Sequence, residues 1–223
     1  MLIIVAIVLD MLFNTYAVPV RKISYVWQLV CFGIMLGGET IRIMVNGSVA
    51  KDTSGRGTKE LKAAQLNTDG FYSVVRHPLY LANLFMWSGA SLFFQRWYLP
   101  VIIACLFFIY YGRIILYEER FLKSRFGDDY TCWARKVPSL IPSFKHYAPS
   151  KLLFNVKASL KKEHDSIFAL VAICYFFTMV NDYALTGKII FHNFWYLTFL
   201  VCMVLWFIIK LMKKMSMLDV EGR

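Results

Sequence analysis

Hydrophobic residues in this chain form long, nearly unbroken runs and lack the alternation with polar residues that is typical of strands. Five of these runs are about 17–22 residues long, which is enough for a helix to cross roughly 30 Å of hydrocarbon. The pattern therefore predicts an all-α membrane protein with five to six transmembrane helices. The five runs cover residues 25–46, 79–95, 97–117, 166–185 and 190–209.

A sixth helix is predicted over residues 1–20, where Asp10 and Asn14 interrupt the apolar sequence and raise the free energy of insertion. A cleaved signal peptide is the alternative interpretation of this segment. We favour the helix, because no basic residue precedes the apolar run and no small-x-small cleavage site follows it. The composition agrees with a membrane protein, since 58% of the residues are hydrophobic, above the roughly 45–50% of an average soluble domain.

Basic residues outnumber acidic ones, and the formal net charge is +11. The Lys and Arg residues flank the apolar runs, so we expect a membrane surface as their partner and no nucleic acid. If every run crosses the membrane, the basic groups within 51–76, 120–162 and 210–214 all lie on one side. By the positive-inside rule that side is the cytoplasm. We therefore expect an integral, multi-pass protein with both termini in the cytoplasm.

Cysteine and histidine positions do not predict a metal site. Four of the five cysteines lie inside apolar runs, and no two Cys or His residues have the spacing of zinc ligands. We therefore expect reduced thiols that serve as packing groups, and no bound metal.

Polar segments divide the chain into three predicted parts. Residues 1–46 form the N-terminal transmembrane helices, and residues 47–149 form a core with a polar loop, a helical hairpin and a charged segment. Residues 150–223 form a basic interfacial segment followed by a C-terminal transmembrane hairpin. Within the core, Pro78 predicts a helix start, because its fixed φ suits the first turn. The basic stretch 150–165 predicts a helix that lies on the membrane surface.

Candidate chemistry lies at the two polar ends of the hairpin in the core. Arg76 and His77 come just before one helix start, where free backbone N–H groups favour an anion. Arg113, Glu118 and Glu119 lie where the other helix leaves its apolar run, and charges at membrane depth are usually functional. Each group also has a plainer interpretation, as a snorkelling or anchoring arginine, a turn residue or a solvated helix end.

Two motifs in this region, the second with a proline-containing ending, resemble those of a known superfamily. The segment 70–80, GFYSVVRHPLY, resembles the G-x-Y-x-x-x-R-H-P-x-Y signature of the isoprenylcysteine carboxyl methyltransferases and phospholipid methyltransferases. After a hairpin of matching length, residues 118–130 (EERFLKSRFGDDY) resemble the E-E-x-x-L-x-x-x-F-G-x-x-Y block of the same superfamily. Residues 137–142 (VPSLIP) resemble its V-P-x-x-x-P ending. The resemblance covers roughly residues 66–144.

The resemblance implies that S-adenosyl-L-methionine is the cofactor, held in a cytoplasmic pocket on the hairpin without a Rossmann domain. The chain agrees in lacking a G-x-G-x-x-G motif after a strand. Arg113 is implied to act on the substrate and in catalysis, the latter together with Glu118. Tyr110 and Tyr117 share a helical face with Arg113 and would add an aromatic wall. The residues implied to bind the cofactor are Arg76, His77, Pro78, Tyr80, Glu118 and Glu119.

The acceptor implied by the resemblance is a membrane lipid or a lipidated substrate, with a lipid phosphate or a carboxylate as the nucleophile. Carboxyl methylation of isoprenylcysteine is one alternative, and a non-catalytic scaffold or transporter is another. The polar stretches 53–59 and 66–68 resemble those of bacterial members, which implies the inner membrane of a bacterium. The oligomeric state and the role of the C-terminal hairpin stay open.

Overall fold

The computed structural model describes residues 22–50, 63–191 and 193–220, so the helix predicted over residues 1–20 lies outside the described residues. The described chain is helical and contains no strand, which confirms the all-α prediction. Two short 3₁₀ turns, Gly70–Ser73 and Phe144–His146, lie in the connections. The helices are α1 (Tyr25–Gly47), α2 (Pro78–Leu92), α3 (Tyr98–Lys136), α4 (Val156–Thr186) and α5 (Asn193–Lys214).

Four of these helices, α1, α3, α4 and α5, are long and apolar enough to cross a membrane. The remaining helix, α2, has 15 residues, which corresponds to about 22 Å at 1.5 Å per residue and is short for a bilayer. It ends at Leu92, earlier than the predicted run 79–95, because the chain turns there. Gln95, with φ of 55°, lies in this turn. The described chain is thus an all-α membrane protein with one short helix in its bundle.

The N-terminal part of α4 differs from the prediction. The sequence predicts a surface helix over 150–165 and a separate span after it, whereas the structure has one continuous helix. Asn155 caps this helix by accepting a hydrogen bond of 2.9 Å from the backbone N–H of Ala158. Ser159 and Glu163 are buried and bond to α1. Because their polar groups are satisfied inside the bundle, this segment packs against α1.

Helices α1 and α2 pack backbone against backbone through two glycines. A Cβ at Gly38 would lie 2.5 Å from the carbonyl oxygen of Ala82, and a Cβ at Gly89 would lie 2.7 Å from that of Cys31. Any larger residue at these positions would push the helices apart. Gly37, one residue away, has no atom within 4 Å of its Cβ position.

An apolar core fills the end of the bundle where α2 turns into α3. Its buried members come from α1, α3, α4 and α5, from Ile23 and from the 93–94 turn, and α2 adds partly buried residues. The indole Nε1 of Trp195 donates a buried hydrogen bond of 2.6 Å to Oε1 of Gln28, and Trp27 Nε1 donates to the carbonyl of Leu92 at 3.0 Å. These bonds fix α5 and α2 to α1. The central residues of this core are Cys31, Met35, Phe93, Cys174, Phe177 and Trp195.

The opposite end of the bundle, called the polar end below, gathers the end of α1, the starts of α2 and α4, the charged part of α3 and the end of α5. The backbone N–H of Asn155, before α4, donates to the carbonyl of Gly47 at the end of α1 at 2.9 Å. His77, which precedes α2, contacts Glu119 of α3, and Trp206 near the end of α5 contacts α4. The basic segments of the described chain therefore share one end of the bundle, as the alternation of the runs predicts.

Candidate functional site

The loop before α2 is held in place by the segment that follows α3. The backbone N–H groups of Arg76 and His77 donate to the carbonyls of Pro138 and Ser139 at 2.9 and 3.2 Å. Ser73 bridges the same two segments, because its hydroxyl accepts from the Ala148 N–H at 3.0 Å. The backbone of Arg76 and His77 is thus held by hydrogen bonds to the segment after α3.

Gly127 breaks α3 and lets its last turns fold toward this loop. Its φ of 53° and ψ of −120° are far from helical values and belong to a region that favours glycine. Beyond the break, the indole of Trp133 donates to the carbonyl of Tyr72 at 3.1 Å, and Tyr130 is buried. The F-G-x-x-Y motif therefore bends the polar part of α3 over the site.

Five predicted residues meet at the polar end, and we call them the acidic cluster. Nε2 of His77 lies 3.1 Å from Oε1 of Glu119, and its Nδ1 lies 3.6 Å from Oε2 of Glu118. Arg76 contributes a guanidinium nitrogen 3.1 Å from the same Oε1 of Glu119. Tyr80 donates a hydrogen bond of 2.7 Å to Oε1 of Glu118. The two sequence motifs therefore form one site.

Charge in the acidic cluster is balanced by the histidine. Burial lowers the pKa of His77, but hydrogen bonds to Glu118 and Glu119 and the charges of both outweigh this effect, so the pKa is raised above its ordinary value. Burial raises the pKa of Glu119, but the hydrogen bond from His77 and the charges of Arg76 and His77 outweigh it, so the pKa is lowered. A protonated imidazole beside the ionised Glu119 is the favoured state.

One donor in the cluster is left without a partner. Nε of Arg76 is buried and makes no hydrogen bond to any of the described residues, although the same guanidinium contacts Glu119 and Tyr130. A buried unsatisfied donor is unfavourable in free energy and is explained when a ligand completes it. A guanidinium beside two carboxylates suits a zwitterionic group, whose carboxylate and ammonium need one partner of each sign. The amino-acid end of S-adenosyl-L-methionine has this chemistry.

One ring contact and a series of hydrogen bonds lead from the cluster into the bundle, and the sequence does not predict them. The ring of Tyr80 lies 4.8 Å from that of Tyr111, measured between centroids, and the Tyr111 hydroxyl accepts from Asn83 at 2.9 Å. Asn83 in turn accepts from Arg42 at 2.6 Å. Arg42 donates to the fully buried carboxylate of Glu163 at 2.9 Å. Residues of α1 and α4 thereby support α2 and α3 at the site.

Buried polar residues of α1 complete this network. Asn46 donates to Oε1 of Glu163 at 2.6 Å, and Ser166 donates to Oε2 of Glu39 at 2.6 Å. Glu39 also lies 3.7 Å from the Arg42 guanidinium. The signal in the sequence is the spacing of Glu39, Arg42 and Asn46, which places three polar side chains on one stripe of an otherwise apolar helix.

Three predicted site residues lie away from the cluster. Arg113, Tyr110 and Tyr117 are exposed on the outer face of α3, and the two tyrosines retain 64% and 67% exposure. Tyr111, the neighbour of Tyr110, occupies the inner face instead. Pro78 is buried at the first position of α2, where it shapes the backbone and offers no polar group.

A mostly apolar cavity of about 380 Å³ lies beside the loop of the site. It is lined by the end of α1, the residues around the 70–73 turn and the segment 144–150, and none of the cluster side chains lines it. No group of Cys, His, Asp and Glu among the described residues has the arrangement of a metal site.

Comparison with known proteins identifies the same region. The family model for phospholipid methyltransferases matches residues 24–129. A protein-S-isoprenylcysteine O-methyltransferase of Schizosaccharomyces pombe is 30% identical over 130 residues, which cover 55% of this chain and 52% of the relative. Protein-S-isoprenylcysteine O-methyltransferase B of Arabidopsis thaliana is 30% identical over 125 residues, covering 52% of this chain and 60% of the relative.

A bacterial relative also matches. It is a cobalt-zinc-cadmium resistance protein of Cupriavidus metallidurans, 31% identical over 106 residues that cover 47% of this chain and 49% of the relative. The chain thus spans about half the length of the curated relatives it matches. No solved structure matches the chain. The matched region, just under half of the chain, contains the acidic cluster and both paired motifs up to Asp129, and this part of the chain is similar to the phospholipid methyltransferases and the isoprenylcysteine O-methyltransferases.

Proposed function

We propose that the chain is a methyltransferase that uses S-adenosyl-L-methionine and modifies a membrane lipid or a lipidated substrate. One observation carries this proposal. The Arg76 guanidinium, whose Nε has no hydrogen-bond partner among the described residues, lies in the same cluster as the Glu118 and Glu119 carboxylates. These groups fit both charges of an amino-acid ligand, and the family supports the activity. Bound there, the cofactor would supply an electrophilic methyl group on sulfur.

Different residues of the cluster would bind the two charged groups of the cofactor's amino-acid end. Arg76 would bind its carboxylate and the two glutamates its ammonium, because each contact then joins opposite charges. The tilted ring faces of Tyr80 and Tyr111 lie next to these groups and attract a cation such as a sulfonium. Together they orient the ligand and keep water from it, which is what an in-line displacement needs most.

The protonation states of the cluster favour an acceptor that is already an anion. A general base works best when its pKa lies near the operating pH. The pKa of Glu119 is lowered, and that of His77 is raised by the carboxylates, so His77 acts as a hydrogen-bond donor. An amine acceptor would need one of them as a base. A phosphate or carboxylate acceptor needs none, and we propose a lipid phosphate or carboxylate.

Carboxyl methylation of isoprenylcysteine is the second candidate, and the names of the two eukaryotic relatives favour it. Its nucleophile is also a carboxylate, so the same cluster would serve. We further propose that the polar end faces the cytoplasm of a bacterial inner membrane, because the described basic segments share that end.

The test is a methyl-transfer reaction with purified full-length protein and cofactor carrying an isotopically labelled methyl group. One reaction contains total bacterial lipid extract and the other a farnesylated cysteine peptide, and mass spectrometry identifies the labelled product. We expect labelled lipid with the wild type and with Asp128→Asn, an exposed control on α3, and none with Glu118→Gln. Label in the peptide alone would favour the second candidate. Absence of cofactor binding by calorimetry would contradict both and favour a non-catalytic membrane scaffold or transporter.

A further inference from the structure

A second pocket lies at the polar end, between the first turns of α4 and the last turns of α5. It has a volume of about 470 Å³, and none of the acidic cluster lines it. Three of its side chains are lysines, and we call it the lysine pocket. Its lining residues are His164, Asp165, Phe207, Lys210, Leu211, Lys213 and Lys214.

The charge of the lysine pocket is positive, because three lysines face one carboxylate. That carboxylate, Asp165, already accepts a hydrogen bond of 2.8 Å from the indole of Trp206. The ammonium of Lys210 lies 4.2 Å from the centroid of the same indole, which holds it at the pocket. Lys213 and Lys214 lie in the last turn of α5, and Asp165 is the one carboxylate that lines the pocket with them. The pocket therefore attracts an anion.

A buried histidine points to a ligand independently of the lysines. His164 is only 3% exposed, and its Nδ1 is buried without a hydrogen-bond partner within the described part of the chain. Its Nε2 lies 3.5 Å from Oδ1 of Asp165. When the ring is protonated, Nδ1 donates to a phosphate oxygen, and when it is neutral, Nδ1 accepts from a headgroup hydroxyl. A phosphorylated headgroup satisfies this nitrogen in either state.

The position of the pocket matches the depth of lipid headgroups. The apolar run of α5 ends just before Lys210, so the lysines lie where the helix leaves the hydrocarbon. Phe207 and Leu211 are exposed beside them and offer an apolar surface to an acyl chain. Basic pockets between transmembrane helices suit anionic lipid headgroups. We propose that the lysine pocket binds the phosphate headgroup of an anionic glycerophospholipid from the surrounding membrane.

Native mass spectrometry of the full-length protein in neutral detergent tests this assignment. Phosphatidylglycerol and phosphatidylcholine with the same acyl chains are titrated separately. We expect phosphatidylglycerol to bind at least about 10-fold more tightly, given three lysines near one phosphate. The variant K210Q/K213Q/K214Q should lose this preference. The control variant K136Q/K145Q/K151Q removes the same charge from exposed positions outside the pocket and should keep the preference.

Several outcomes would overturn the proposal. Equal binding of the two lipids by the wild type would do so without any variant, and so would an equal loss in the two triple variants. Displacement of phosphatidylglycerol by millimolar inorganic phosphate would assign the pocket to free phosphate instead. If the triple variant does not purify, the single substitution Lys213→Gln should still weaken phosphatidylglycerol binding several-fold, and an unchanged affinity would count against the pocket.

Discussion

Tyr80 donates a hydrogen bond of 2.7 Å to Oε1 of Glu118, and this contact joins the first turn of α2 to α3 where α3 leaves its apolar run. His77 stacks on the same tyrosine, with ring centroids 5.5 Å apart. Glu118 is therefore oriented from α2, and its second oxygen stays near the imidazole. Changes to either partner should alter ligand binding before they alter the fold.

Glu118→Gln tests the proposed ammonium site. The amide keeps the shape of the side chain and can still accept from Tyr80, but it loses the charge. We expect the affinity for S-adenosyl-L-methionine, measured by calorimetry, to fall about 10- to 100-fold, since a hydrogen bond to a charged group contributes about 1.5–3 kcal/mol. Asp128→Asn on the same helix should bind like the wild type. A similar affinity in all three proteins would count against the site.

Arg76→Ala and Arg113→Ala separate the two arginines of the predicted site. Arg76 belongs to the cluster and carries the unsatisfied Nε, whereas Arg113 is exposed on the outer face of α3. We expect Arg76→Ala to weaken cofactor binding at least about 10-fold, and Arg113→Ala to leave both binding and methyl transfer nearly unchanged. Loss of transfer in Arg113→Ala with intact binding would instead support the substrate role implied by the family resemblance.

The raised pKa of His77 predicts a pH dependence of stability. Protonated His77 is stabilised by Glu118 and Glu119 in the folded state, so its contribution is fully present below the unfolded pKa of about 6.5. The contribution is lost as the pH rises through the higher pKa of the folded state. We expect the difference in Tm between the wild type and His77→Gln to be largest near pH 6 and to shrink above neutrality. A difference that grows with pH would contradict the assignment.

Glu163→Ala tests the buried ion pair with Arg42. Removal of Glu163 leaves the half-buried Arg42 with the longer 3.7 Å contact to Glu39 in place of its 2.9 Å ion pair, and we expect a loss of up to about 3–5 kcal/mol. Replacement of all three groups in E39Q/R42M/E163M removes the charges together and should recover most of the lost Tm. If this triple variant is as unstable as the single one, the charge of Arg42 is not the source of the loss.

The matched substitutions Gly38→Ala and Gly37→Ala test the close contact of α1 and α2. A Cβ at Gly38 meets the Ala82 carbonyl at 2.5 Å, so the helices must shift, and we expect a loss of about 1–3 kcal/mol. A Cβ at Gly37 meets nothing within 4 Å, so the higher helix propensity of alanine should leave Tm unchanged or slightly raised. Thermal unfolding in detergent compares the two, and an equal response would argue against the packing.

Local patterns in the sequence predict most helices, whereas the residues of the acidic cluster were proposed as a site from the family resemblance. The apolar runs locate α1, α3 and α5, and Pro78 locates the start of α2, because these signals depend on residues close together in the chain. Arg76, His77, Tyr80, Glu118 and Glu119 lie in motifs that the family resemblance pairs. Their mutual distances are consistent with that pairing.

Contacts between distant helices could not be predicted in the same way. Tyr110 and Tyr111 are equally polar and adjacent, and only the packing of α3 on α2 decides that Tyr111 faces inward. The sequence predicts Glu163 in a surface helix. Its partners Arg42 and Asn46 lie in another helix far away in sequence, so no local pattern indicates that it is buried. Which face of a helix points into the bundle depends on tertiary packing, and local sequence does not determine it.

The pairing of Arg42 with Glu163 has a consequence for protein engineering. The region that matches the family model ends at residue 129, yet Arg42 within it forms its 2.9 Å ion pair with a carboxylate of α4, beyond that limit. A transplant that carried only the matched region would keep Glu39 and Asn83 beside Arg42 but would lose its 2.9 Å ion pair. The unit that can be transplanted is thus longer than the matched region, and a working chimera needs at least the first turns of α4.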